Sequence, residues 1–276
     1  MPTDTFDSPE FLDPTEVALD DEFRRRGRVT QSAEEPGALE CIRRHTARLA
    51  AEHLGVEAPD REPELPAWLE SLGERVAPAD LNALRLHVFR GLNAESWLRP
   101  AVYRLARRSL AVLVGNELAM QRRVNLSIQL PNDDSSLLPL HADCWSGDSP
   151  YEIVLWVPLV DVAGTQSMFL LPPEAHARFA EGMAEAGSVE DLFDSVESEV
   201  EFLQLDFGQV LLFNQNLAHG NRINRTPRTR WSLNVRFKGA FTPYADKKLG
   251  EFFEPITLRT MSRIGLEHRL PDGFRE

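Results

Sequence analysis

Arg123-Val-Asn-Leu-Ser-Ile-Gln-Leu130 sets four apolar residues, Val124, Leu126, Ile128 and Leu130, in alternation with Arg123, Asn125, Ser127 and Gln129. A two-residue repeat puts every second side chain on one face of an extended chain, the pattern of a half-buried strand. Upstream the period is different. Leu39, Ile42, Leu49 and Leu54 recur at helical spacing over 37–56, and further helices are predicted over 65–76, from Pro78 toward Arg90, and over 94–114. Downstream, short apolar runs predict strands at 138–144, 152–159, 167–171, 199–205, 209–214 and 230–238, with a helical insertion over 173–196. A helical block followed by many short strands, with no alternation of strand and helix, favours a mainly β jelly-roll or related barrel with a helical N-terminal layer. The expected organisation is a single domain over 37–276. Within it 37–115 is mainly helical, 116–245 forms the jelly-roll core and 246–276 is a C-terminal extension. Residues 1–36, rich in Asp, Glu, Pro and Thr, read as a flexible acidic lead-in.

Composition narrows the partners. The 276 residues carry 30 Lys and Arg against 43 Asp and Glu, a formal net charge of −13. Such a field repels nucleic-acid backbones and anionic lipid surfaces, so a small molecule is the expected partner. Cys41 and Cys144 make neither a disulfide framework nor a zinc-type cluster, which points to a reducing, cytoplasmic compartment. No apolar run approaches the roughly 18 residues that a membrane span requires.

The residues that carry chemistry lie within the strand region. In Leu137-Leu-Pro-Leu-His141-Ala-Asp143-Cys-Trp145 the predicted strand aims His141 and Asp143 the same way, delivering an imidazole and a carboxylate to one point. Far along the chain, the apolar run from Gln209 ends in His219-Gly220. Two histidines and one carboxylate form the facial triad of non-haem Fe(II) sites, which leaves three metal positions open. A His-x-Asp pair alone is common by chance. The weight comes from Arg230 and Ser232, which share one face of the last predicted strand. A guanidinium fork holds a carboxylate through two parallel hydrogen bonds, and a hydroxyl adds a third, so the pair is a ready anchor for a dicarboxylate.

These motifs in this order are His141-x-Asp143, Trp156-Val-Pro-Leu-x-Asp161, Gly208-x-Val-Leu-Leu-Phe213, His219-Gly-x-x-x-Asn224 and Arg230-x-Ser232. Over roughly 123–237 the chain resembles the Fe(II)- and 2-oxoglutarate-dependent oxygenases, in particular the phytanoyl-CoA hydroxylase-like branch, and more loosely the type found in carbohydrate and aminocyclitol biosynthesis clusters. The resemblance implies a double-stranded β-helix in which His141, Asp143 and His219 bind Fe(II). Arg230 and Ser232 would hold the far carboxylate of 2-oxoglutarate, and O₂ would be the second co-substrate. Oxidation of an unactivated C–H bond in a small polar metabolite would accompany formation of succinate and CO₂. Asp143 stands where halogenating relatives have a small residue, which disfavours halogenation. Leu171-Pro-Pro-Glu-Ala-His176 departs from the Pro-Gly-Ser-His turn common in the family and affects the substrate mouth.

Around this centre, Asn125, Ser127 and Gln129 share the polar face of their strand and are candidate 2-oxoglutarate contacts, the bland alternative being a solvated sheet face. Trp145 is a candidate for shielding the metal or stacking on a sugar ring. Asn214, Gln215, Arg236 and Lys238 put many polar groups on barrel strands, and a polar substrate would keep them paired. Trp156 and Trp231 are assigned to the core. The alternatives are a non-catalytic jelly-roll that binds carbohydrate or metal, and a cupin-type isomerase using the same ligands.

Overall fold

In the computed structural model, which describes residues 11–183 and 187–269, the chain is already organised at Asp13. The Asp13 carboxylate accepts from Thr15 N at 2.8 Å, and Glu16 reaches back to accept from Asp13 N at 3.0 Å. This capping box, with Pro14 in the first turn, starts helix α1 (Pro14–Arg26). Gly27 ends the helix at φ 68, where a Cβ would also lie 2.1 Å from Leu217 Cδ1. Strand β1 (Arg28–Ser32) follows and lies antiparallel to the strand Gln209–Asn214, with Val29 buried. The lead-in expected over 1–36 is therefore corrected for 14–32, which is capped helix and paired strand. Its residues 1–10, with 184–186 of the insertion and 270–276 of the extension, lie outside the described residues.

The helical block comprises α2 (Pro36–Leu54), α3 (Leu65–Glu70), α4 (Pro78–Ala94), α5 (Leu98–Arg104) and α6 (Arg107–Leu113). Leu39, Ile42 and Ala50 of α2 are fully buried in one core with Leu84, Val88 and Leu92 of α4. Two expectations change here. The helix expected over 65–76 stops at Glu70 and continues as a 3₁₀ turn, Ser71–Glu74. The single helix expected over 94–114 is broken at Ala106. There Glu34 takes up the freed backbone groups: its N–H donates to Leu105 O, and its carboxylate accepts from Arg108 N at 2.8 Å.

The strands that follow are β2 (Leu118–Gln121), β3 (Asn125–Gln129), β4 (Glu152–Pro158) and β5 (Met168–Leu170). Beyond helices α7 (Pro173–Gly182) and α8 (Val189–Val196) come β6 (Glu201–Phe202), β7 (Gln209–Asn214), β8 (His219–Asn221), β9 (Arg230–Gly239) and β10 (Phe253–Pro255), then helix α9 (Thr260–Glu267). The larger sheet runs β1-β7-β4-β9-β2-β10, all pairs antiparallel, and β3 shares with β2 the edge of β9 opposite β4. The smaller sheet runs β6-β5-β8. Helix amounts to 43% and strand to 20%, so the helical layers exceed the sheets in bulk while the two sheets frame the site. Under α7 and α8 a second core gathers Phe169, Leu171, Phe179, Phe193 and Ala218.

The strand expected over 138–144 is not formed. His141 makes one isolated bridge to His219, and Asp143–Ser146 is a 3₁₀ turn reversed by Gly147 at φ 85. Pro139 lacks the N–H that a ladder would need. The strand expected over 199–205 shortens to β6, and β1, β2, β8 and β10 are additions that short, mixed sequences did not announce. No helix among the described residues is long and apolar enough to cross a membrane.

Candidate active site

Three ligand-type side chains meet between the two sheets, and backbone pairing puts them there. At Gly220 a Cβ would lie 2.7 Å from Leu138 O and 2.9 Å from Pro139 O, so glycine lets the 138–141 segment close onto β8. His141 and His219 then exchange backbone hydrogen bonds, N to O at 2.9 and 2.8 Å, and Asp143 N donates to Gln215 O. His141, Asp143 and His219 each bring one ligand atom within 4.8 Å of the others, the only such group among the described residues. Same-face strand geometry does not deliver this convergence. A bridge and a tight turn do.

The histidine tautomers are set locally. Nδ1 of His141 lies 2.7 Å from Pro139 O, and Nδ1 of His219 lies 2.8 Å from Leu217 O. A carbonyl only accepts, so each Nδ1 carries a proton, and in the neutral form of each ring Nε2 presents its lone pair inward. Those nitrogens lie 3.5 and 3.9 Å from Asp143 Oδ1. Burial, aided by the neighbouring His141, pulls His219 down to about 4, which keeps it neutral. Burial also lowers His141, but the Asp143 contact and the Pro139 carbonyl outweigh it and raise the net value. Burial pushes Asp143 up, yet His141, Arg236 and His219 together hold it well below the usual carboxylate range. Two imidazole nitrogens and one carboxylate oxygen facing one point fit a divalent transition metal.

Deeper in the barrel lies an unpaired cation. Arg230 is 3% exposed, and its Nη2 donates to Ser127 Oγ at 3.0 Å. Its Nε and Nη1, the Ser232 hydroxyl and Gln129 Oε1 are buried without a hydrogen-bond partner among the described residues. Burial draws Arg230 down to about 10, still charged at neutral pH. The register of β3 on β9 pairs Ser127 with Ser232 and Gln129 with Arg230, so these groups share one face. A buried guanidinium lacking an anion is costly in isolation, and a carboxylate ligand removes that cost.

A cavity of about 230 Å³ joins the two centres: His141, Asp143, His219 and Arg230 all line it. Its walls combine Val154, Trp156, Met168 and Phe213 with Asn125, Ser127, Asn221 and Asn234. A larger groove of about 910 Å³ along α4 and α5 shares only Asn125 with it and contains no metal-ligand grouping among the described residues, so the chemistry belongs to the smaller cavity.

The remaining candidates divide. Asn125 lines the cavity and donates to Asn234 Oδ1 at 2.9 Å, whereas Gln129 donates to Arg222 O. Trp145, expected near the metal or a sugar ring, does not line the cavity; it is 41% exposed and stacks on Phe179 of α7, centroids 6.1 Å apart. Asn214 caps its own turn by accepting from Asn216 N. Gln215 is fully engaged with Ser149 O, Glu152 and Arg236. Lys238 is buried, donating to Pro243 O with its Nζ 3.6 Å from the Tyr244 ring centroid. Arg236 does line the cavity, but it is held by Asp143 and Asp148. Trp231 is core, donating to Leu69 O, while Trp156 is both core and cavity wall. Met168, Asn221 and Asn234 carry no signal in the sequence, and Phe213 enters only as the end of the 208–213 motif. The pairings Asn125 with Asn234 and Trp156 with Asn234 identify the shared inner face once register is known.

No family profile matches the sequence, and no curated protein matches it. Solved structures do. The non-heme monooxygenase ThoJ aligns over 87% of this chain and 84% of its own, at 17% identity and TM-score 0.56. EctD from S. alaskensis, solved with 2-oxoglutarate and 5-hydroxyectoine, aligns over 87% and 80% at 18% identity and TM-score 0.53. AviO1 from Streptomyces viridochromogenes Tue57 aligns over 83% and 97% at 16% identity and TM-score 0.52. The chain is built on the fold of these proteins, the double-stranded β-helix.

Proposed function

We propose that the protein is an Fe(II)- and 2-oxoglutarate-dependent oxygenase that hydroxylates or otherwise oxidises an unactivated C–H bond of a small polar metabolite. The observation that carries this reading is Arg230, a fully buried cation with two unpaired donor nitrogens, in the same cavity as His141, Asp143 and His219. A metal site alone is compatible with a silent binding protein or an isomerase. Neither needs a dicarboxylate anchor.

His141, Asp143 and His219 would hold Fe(II), and Arg230 with Ser127 and Ser232 would seat the far carboxylate of 2-oxoglutarate. When bound, the metal and its co-substrates supply the oxidising power that functionalises a C–H bond as 2-oxoglutarate becomes succinate and CO₂. The chain supplies position and environment. Pro139 O and Leu217 O fix the imidazole tautomers, and Val154, Trp156, Met168 and Phe213 exclude water. Asn125 and Asn234 offer hydrogen bonds to a hydroxylated or amino substrate, which supports a sugar-like or aminocyclitol-like class. The EctD structure holds 2-oxoglutarate with 5-hydroxyectoine, which accords with a small polar substrate and not with any one class.

The test is a screen of polar metabolites with Fe(II) and 2-oxoglutarate under air, reading substrate-stimulated succinate release and mass change of the substrate. One member should gain a single oxygen atom or lose two hydrogens in step with succinate. Release of succinate that no tested metabolite stimulates, with every metabolite recovered unchanged, would count against the substrate class.

A further inference from the structure

Asp143 has two oxygens, and only one faces the histidines. Oδ1 is the atom 3.5 and 3.9 Å from the two Nε2 atoms, while Oδ2 is bound by Arg236 Nη2 at 2.7 Å. Arg236 is braced in turn. Its Nε donates to Gln215 Oε1 at 3.0 Å and lies 3.2 Å from Asp148 Oδ1. Asp148 is buried and its other oxygen is paired with Lys247. The backbone secures both ends of this chain of contacts: Asp143 N donates to Gln215 O, and Asp246 N, next to Lys247, donates to Gly147 O. The guanidinium therefore meets two carboxylates and an amide at once, Asp143 through Nη2 and Gln215 and Asp148 through Nε, a task for a fork of donors and not for a point charge.

We infer that Arg236, braced by Asp148 and Gln215, is a positioning residue that makes Asp143 a one-oxygen ligand. This inference rests on the proposed metal site. A carboxylate free to rotate can bind a metal through both oxygens, filling one of the positions that a bidentate co-substrate and O₂ require. With Oδ2 occupied by Arg236 that option is closed. The arginine acts through Asp143 and needs no contact with substrate.

The experiment uses Co(II) in place of iron, without oxygen, reading the visible d–d spectrum and the affinity for added 2-oxoglutarate. In the wild type, Co(II) binding with a spectral change on adding 2-oxoglutarate tests the metal and co-substrate sites themselves. Arg236→Lys keeps the charge and loses the fork. It should bind Co(II), give an altered spectrum before 2-oxoglutarate is added, and bind 2-oxoglutarate about tenfold more weakly. Asp148→Asn, which leaves Arg236 in place but removes its brace, should shift both readings in the same direction by a smaller factor. A wild-type spectrum and wild-type 2-oxoglutarate affinity in Arg236→Lys would overturn the inference and reduce Arg236 to charge neutralisation. Should that variant fail to fold, unchanged readings in Asp148→Asn would overturn it equally.

Discussion

Arg230 and Arg236 lie on the same face of the same strand, and their surroundings are opposite. Arg236 meets two carboxylates and an amide oxygen, whereas Arg230 meets one serine hydroxyl and has two nitrogens with nothing to bond. The difference separates a charge satisfied within the fold from a buried charge left without a counterion. A buried cation with partners belongs to the fold. One without partners is a cost that an anionic ligand, as proposed for Arg230, would remove.

Substitution by methionine should break the two arginines in opposite directions. Arg236→Met strands Asp143 and weakens the support of Asp148, costing about 3–5 kcal/mol in urea unfolding of the metal-free protein. Arg230→Met removes a desolvated cation and should leave stability unchanged or raise it by about 1–3 kcal/mol, while 2-oxoglutarate affinity falls about a hundredfold in calorimetry. Equal destabilisation by both would erase the comparison.

A smaller effect sharpens the deep end. Ser232 Oγ has no partner and shares a face with Arg230. Ser232→Ala should raise KM for 2-oxoglutarate about three- to tenfold, one hydrogen bond's worth, with kcat little changed.

The outer end also carries a pH signature. Burial, with Asp148 nearby, raises Glu152 to about 7 against the opposing Ser149 hydrogen bond. The folded state therefore binds a proton that the unfolded chain releases near its ordinary value of 4.5. Stability from this group is full at lower pH and is lost as pH rises from the mid-4s through about 7. Glu152→Gln should flatten the stability profile across that window, read by urea midpoints at several pH values. An undiminished fall would assign the slope elsewhere.

Much of this was legible in sequence, for identifiable reasons. The alternation in Arg123–Leu130 gave β3, and the apolar runs gave β4, β7 and β9, because two-residue periodicity survives wherever one face is buried. The three converging side chains were legible as residue types, but the expected strand under His141 and Asp143 was wrong. Their convergence depends on one bridge and on the absence of a Cβ at Gly220, which periodicity does not report. Helix α1 carried its signal in Asp13-Pro14-Thr15-Glu16, which acidic composition obscured. The role of Arg236 was not legible. Its contact with Asp143 depends on the register of β9 and on a turn far away in sequence.

The pairing of a metal site with an anion anchor is tested most directly by adding Fe(II) and then 2-oxoglutarate to the wild type and to Arg230→Met under anaerobic conditions. The account predicts a weak visible charge-transfer band in the wild type that is lost in the variant at matched co-substrate concentration. A folded wild type that binds iron yet gives no band, or an equal band in both proteins, would contradict it.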